Sequence, residues 1–176
     1  MSRLPLIEIE QMSPAQREQY ARFPSNLTRG LLLAEPPLSQ VLPMLANALR
    51  SSSLSPKIRE AVILRVAALH HSDYERLQHA GQASKVGWTQ IEIEALQAGD
   101  IDGLPHEVAA ILEFVDEAVH SGDVGDERFL RVREILSPAD IATLILLIGH
   151  YMMIARFTAI LRIDPDEKPD SWTQPH

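Results

Sequence analysis

The sequence predicts an all-α protein, on three observations. Apolar residues recur at helical spacing through most of the chain, helix-start signals stand between those segments, and no Asn-Gly or Asp-Gly hairpin joins two alternating apolar runs. The β-branched pair Val62-Ile63 itself lies inside a helical pattern.

Taken in order, "SPAQ" at Ser13 offers a hydroxyl that can accept from an orphan N–H and a Gln three positions on, and opens a helix over 14–22. The proline-interrupted "RFPSNLTRGLLLAEPPLSQ" follows, then a helix over 36–50. "SPKI" at Ser55 gives a cap and an N1 proline for 56–70, without the reciprocal partner. "SDYE" at Ser72 opens 73–86, and "TQIE" at Thr89 opens 90–98. The turns "AGDIDGLP" and "HSGDVGD" set off helices over 105–121 and 126–135, and "SPAD" at Ser137 starts the last, 138–162. No linker divides the chain, so residues 1–176 read as one domain: an N-terminal helical wrap (1–50), a core motif (51–100) and C-terminal helices (101–176).

Composition narrows the function. A formal net charge of -8 argues against nucleic acid, because phosphate neutralisation needs clustered Lys and Arg. Cysteine is absent, which removes disulfides, thiolate nucleophiles, thiolate metal sites and dithiol redox chemistry together. The start "MSRLPLIEIEQ" has acidic residues where an export signal needs an apolar run, so a cytoplasmic location is expected. Residues 141–161 are long enough to span a membrane, but His150 and Arg156 would be costly in lipid; the reading is no membrane, and a helix buried on most sides by protein.

The densest chemistry is "HHSDYERLQHA", residues 70–80, with three histidines, one aspartate and one glutamate after the apolar "AVILRVAAL". If Ser72 and Glu75 form a capping box, the helix from Ser55 stops near His70-His71 and a second begins at Asp73. Glu75 and His79 are then i,i+4 partners, and the turn lets the second helix fold back so that His79 approaches Glu60. Such a pair is a possible proton relay, since the carboxylate fixes the imidazole tautomer and raises its basicity. Glu60 has two readings, an exposed corner paired with Arg59 or Lys57 or a buried group with a specific partner; helical periodicity alone favours the corner. His71, Glu75 and His79 would stand at i, i+4, i+8 on a continuous helix and could hold zinc or iron, but the capping box argues against continuity, so no metal and no cofactor is expected.

"LSPKIREAVILRVAALHHSDYERLQHAGQASKVGWTQIEIEAL" (54–96) resembles the core of the carboxymuconolactone decarboxylase family, with its R-E helix, turn, Y-E-x-x-x-H and short E-I-x-A-L helix. "GHYMMIARFTAIL" (149–161) resembles a helix of that family's longer members. The resemblance implies a compact helical bundle of the alkylhydroperoxidase D-like type, assembled as a homo-oligomer, trimer or hexamer, with its pocket near subunit contacts. In the alkylhydroperoxidase D-like branch two cysteines of a C-x-x-C motif are served by a Glu-His relay. Carried over, the cysteines fall on Ser72 and Glu75, the glutamate on Glu60 and the histidine on His79. Both thiols are missing while both relay residues remain, and a serine hydroxyl cannot stand in for a thiolate at neutral pH. Thiol peroxidase activity is therefore not expected.

The lactone decarboxylase branch also works without cysteine. By that resemblance the substrate is a small carboxylated or lactone molecule, the chemistry is of lyase or isomerase type, His79 donates the proton and Glu60 orients it. Arg65 or Arg156 would hold a carboxylate, and Tyr74 and Tyr151 would be hydrogen-bonding wall residues. The plainer alternatives are Tyr74 as packing, His150-Tyr151 as a satisfied polar step in a buried helix, Arg156 as an intersubunit ion pair, and the whole chain as a non-catalytic oligomeric scaffold or ligand-binding module.

Overall fold

The computed structural model describes residues 2–167, and among these there is no strand. A short 3-10 turn, Ile9–Gln11, precedes nine α-helices: α1 (Pro14–Arg22), α2 (Asn26–Leu31), α3 (Leu38–Arg50), α4 (Pro56–Leu69), α5 (Asp73–Lys85), α6 (Gln90–Ala98), α7 (His106–Ser121), α8 (Asp126–Ile135) and α9 (Pro138–Leu161). All eight expected helices are present, with ends shifted by two residues or fewer. α2 was not foreseen: its six residues are too few for a periodic pattern, and it rests on the Ser25 hydroxyl, which accepts from the Thr28 N–H.

The caps behave as their chemistry requires. Ser13 and Thr89 close full capping boxes with Gln16 and Glu92, and Ser137 accepts from the Asp140 N–H. Ser55 makes no side-chain cap bond, and α4 starts on Pro56 instead.

α4 is the axis of the molecule, packed by α5 and α6 on one side and by α7 and α9 on the other. Val62, Ile63 and Val66 meet Ile111, Phe114, Val115, Leu144 and Leu147 in one core. Ala61 and Leu64 meet Ala83, Trp88, Ile93, Leu96 and Leu112 in a second. A helix surrounded in this way must be apolar on nearly every face, which is why Glu60 and Arg59, 1% and 2% exposed, stand out on it. The burial of Glu60 corrects the corner position that periodicity alone favoured.

α9 is long and apolar enough to cross a membrane by length and composition, and 44% of its most apolar stretch is buried. The expectation of cover on most sides therefore holds for one side only. Ile145, Leu146, Met153 and Ile160 stay exposed along a single stripe, while Leu144, Leu147, His150, Tyr151 and Ile154 turn inward.

Candidate active site

The turn after α4 builds the site. His71 adopts the left-handed conformation at φ 53, and the Ser72 N–H donates to the Ala67 carbonyl (2.8 Å) while the His71 N–H donates to Ala68 (3.0 Å). This is the paired bonding of a Schellman ending, usually made by glycine, and it costs a residue with a Cβ roughly 1–2 kcal/mol. It also sets the fate of Glu75. The Ser72 hydroxyl accepts from the Glu75 N–H (3.4 Å), but the Ser72 N–H is already committed to α4, so Glu75 does not close the reciprocal half of the expected box. Its carboxylate, 97% buried by the residue's 3% exposure, turns inward instead.

Because α5 folds back against α4, His79 Nδ1 lies 2.7 Å from Glu60 Oε2, with both residues buried. On the other side of the ring, Nε2 lies 3.5 Å from Glu75 Oε2. The imidazole is thus held between two carboxylates, one from each helix. Arg59 Nε stands 3.9 Å behind Glu60, and its guanidinium donates to the Arg50 carbonyl at 3.0 Å. His71 lies outside α5, exposed beside Asp73 and Arg76, so the i, i+4, i+8 arrangement on one helix does not form. Among the described residues no cluster of three or more His, Asp or Glu side chains is arranged to hold a metal ion.

The electrostatics follow from this crowding. Burial disfavours the imidazolium of His79, but the Glu60 charge and hydrogen bond, helped by Glu75, outweigh it and raise the pKa above its ordinary value. Glu75 is pushed up to about 7, first by burial and then by the Glu60 charge, with His79 opposing. Burial, then the Arg50 and His79 charges, lowers His150 to about 4, so that ring is neutral at pH 7. Tyr151 is raised well above its ordinary value by burial and the two carboxylates, and its ring meets those of His79 and His150 edge-on at 5.1 and 5.2 Å.

Glu75, His79, His150 and Tyr151 line a pocket open to the surface. Gln19 and Arg22 of α1, Leu27, Thr28 and Leu31 of α2, and Met44, Asn47 and Arg50 of α3 form one wall; Tyr74, Glu75, Gln78 and His79 of α5 and His150, Tyr151 and Ile154 of α9 form the other. The N-terminal wrap is thus the pocket's outer wall. Glu60 stands behind His79, out of direct contact with the pocket.

Of the residues singled out in the sequence, the structure brings Glu60, His79, Tyr74 and Tyr151 together. Tyr74 is tied to the wall, donating its hydroxyl proton to Asp166 (2.7 Å) and accepting from the Leu27 N–H (3.2 Å). Arg65 and Arg156 are elsewhere. Arg65 grips Asp116 through two bonds of 2.6 and 2.8 Å, donates to the Gln97 carbonyl, and lies against Gly99, whose lack of a Cβ leaves room for it. Arg156 is exposed on α9 and does not line the pocket. Sequence reasoning missed Arg50, which lines it together with Arg22; burial lowers the pKa of Arg50, which donates to Asn47 Oδ1 and stacks over Phe23 at 5.3 Å. Nothing in "ANALRSSS" separates that arginine from an ordinary basic helix end.

The fold is of the alkylhydroperoxidase D-like helical type. The structure aligns over 96% of its length with 94% of an uncharacterized peroxidase-related protein from Ralstonia eutropha JMP134 that carries the alkylhydroperoxidase AhpD core, at a TM-score of 0.84 and 15% identity. A peroxidase-related protein from Silicibacter sp. TM1040 aligns at 0.81 and 15% identity, over 97% of this chain and 94% of that one. A cysteine-to-alanine variant of the debrominase Bmp8, in complex with 2,3,4-tribromopyrrole, aligns at 0.72 and 14% identity over 96% of both chains. At such identities the likeness is one of fold. No curated protein matches the sequence. Residues 36–117, a little under half of the chain, match the model of the carboxymuconolactone decarboxylase family, and the sequence contains no cysteine.

Proposed function

We propose that this chain is an acid–base enzyme of lyase or isomerase type that acts on a small carboxylated or lactone substrate through a Glu60–His79 proton relay. The observation that carries the reading is the 2.7 Å contact between two buried groups, one of which forms part of a pocket wall. A buried carboxylate and imidazole matched to each other could serve stability alone, but a ring that also faces a pocket can pass its proton outward.

In this reading Nδ1–H donates to Glu60, which fixes the tautomer and stabilises the imidazolium, and the Nε2 side serves the substrate. When a carboxylate leaves as CO2, the electron pair of the broken C–C bond is held in the lactone π system and His79 returns a proton to the carbon. Tyr74 and Tyr151 are wall residues, and Arg50 takes the carboxylate-binding role in place of Arg65 and Arg156. No metal or cofactor is invoked, and thiol peroxidase chemistry has no nucleophile in a chain without cysteine.

The reading also has the chain acting in the cytoplasm as a homo-oligomer, a trimer or hexamer. The exposed stripe Ile145, Leu146, Met153 and Ile160 supports a second copy as its cover. The test of function is a panel of carboxylated and uncarboxylated lactones incubated with the protein in D2O, followed for CO2 release, double-bond shift and carbon-bound deuterium. Turnover that places solvent deuterium on carbon supports the relay; a panel returned unchanged removes the proposal.

A further inference from the structure

Two buried groups on the pocket wall each leave one polar atom unsatisfied. Glu75 is 3% exposed, and its Oε1 has no hydrogen-bond partner among the described residues. His150 is 5% exposed, and its Nδ1 likewise has no partner among those residues. A buried polar atom left unsatisfied destabilises the fold, and two in one pocket are a cost that a ligand can recover. Their charged neighbours differ: the Arg50 guanidinium, and after it His79, acts on His150, whereas the charges felt by Glu75 are those of His79 and Glu60. The apolar part of the lining includes Phe23, Leu27, Leu31, Leu42, Pro43 and Ile154.

The geometry points to a ring-bearing hydroxy acid as the ligand: its carboxylate is received by Arg50 and His150, its hydroxyl donates to Glu75 Oε1, and its ring lies against the apolar walls. Each polar element fits one partner. A carboxylate suits a guanidinium and a neutral imidazole N–H, while a hydroxyl is the donor that a buried carboxylate oxygen needs. An apolar ring matches the apolar part of the lining. This deepens the proposed function by naming the substrate class, and it rests on that reading's choice of pocket.

Isothermal titration calorimetry of the full chain with ortho-, meta- and para-hydroxybenzoate, benzoate and phenol tests it. At least one hydroxybenzoate is expected to bind about tenfold or more tighter than both benzoate and phenol, the equivalent of one charge-assisted hydrogen bond. Glu75→Leu, which leaves no acceptor for the hydroxyl, should remove the advantage over benzoate, and Arg50→Gln or His150→Phe the advantage over phenol. Equal affinities across the set in the wild-type protein, or no binding at all, overturn the proposal whether or not the variants fold. Binding is read without turnover, so a hydroxybenzoate that binds but is never processed leaves the ligand class standing and removes only the catalytic reading. Lactone turnover with no preference for hydroxy acids does the reverse.

Discussion

Replacing Glu60 by glutamine removes one charge from the centre of the molecule and almost no volume. The amide oxygen can still accept from His79 Nδ1, so the 2.7 Å bond survives as a neutral one. What is lost is the charge that balances His79 on one side and Arg59, 3.9 Å away, on the other. Breaking a buried pair by neutralising one partner costs about 3–5 kcal/mol, and the retained hydrogen bond returns about 1, so the net destabilisation is about 2–4 kcal/mol. For a chain of this length that lowers Tm by roughly 4–16 °C.

The cost must also depend on pH. The folded-state pKa of His79 is raised above its unfolded value, so the stability it contributes is fully present below about pH 6.5 and is lost as pH rises through the folded pKa. Glu75 acts in the same direction: Glu60 helps hold its pKa up at about 7, so the wild-type protein bears a rising cost of ionising Glu75 that Glu60→Gln relieves. Urea denaturation of both proteins at several pH values from 6 to 9 should show the difference in stability largest at pH 6 and shrinking toward pH 9. A difference that is constant over that range would refute the reasoning, because it would mean that His79 carries no Glu60-dependent proton.

Three further outcomes are expected. Glu75→Gln should match the wild type near pH 5 and exceed its stability at pH 8 by up to roughly 3 kcal/mol, since a carboxyl raised to about 7 destabilises the folded state once it must ionise; urea midpoints at the two pH values check this. Arg65→Ala should lower stability by about 1–3 kcal/mol in thermal melts, through loss of its two-bond grip on Asp116, and leave ligand affinity at the pocket unchanged in calorimetry. Leu146→Glu, on the exposed stripe of α9, should move the protein to a smaller species in light scattering, and an unchanged mass would show that this stripe is not the contact between copies.

Much of the fold was legible because its signals are local. Ser13, Thr89 and Ser137 mark helix starts by chemistry that acts within one turn, and the Gly-Asp turns mark the breaks between later helices. The approach of His79 to Glu60 followed from two local facts, a helix end at His70-His71 and a new start at Ser72. What sequence could not reveal depends on packing between distant segments. The burial of Glu60 is decided by segments packed against its helix, among them α5 with His79 and α9 with Tyr151, so periodicity placed it at a corner. Arg50 enters the pocket because α3 lies across α9, and Arg65 is withdrawn from it by Asp116, 51 residues along the chain. Glu75 looked like half of a capping box because Ser72 does cap α5; only the commitment of the Ser72 N–H to Ala67 frees the carboxylate for the site.

The most direct test of the central claim, that Glu60–His79 is a working proton relay and not only a buried structural pair, is the turnover rate of His79→Gln on a lactone that the wild-type protein processes. Thermal melts on the same samples report whether the fold is intact. The account predicts a rate at least about a hundredfold lower in a folded protein, the usual share of a positioned acid–base group. A folded His79→Gln protein that turns over at the wild-type rate would contradict it.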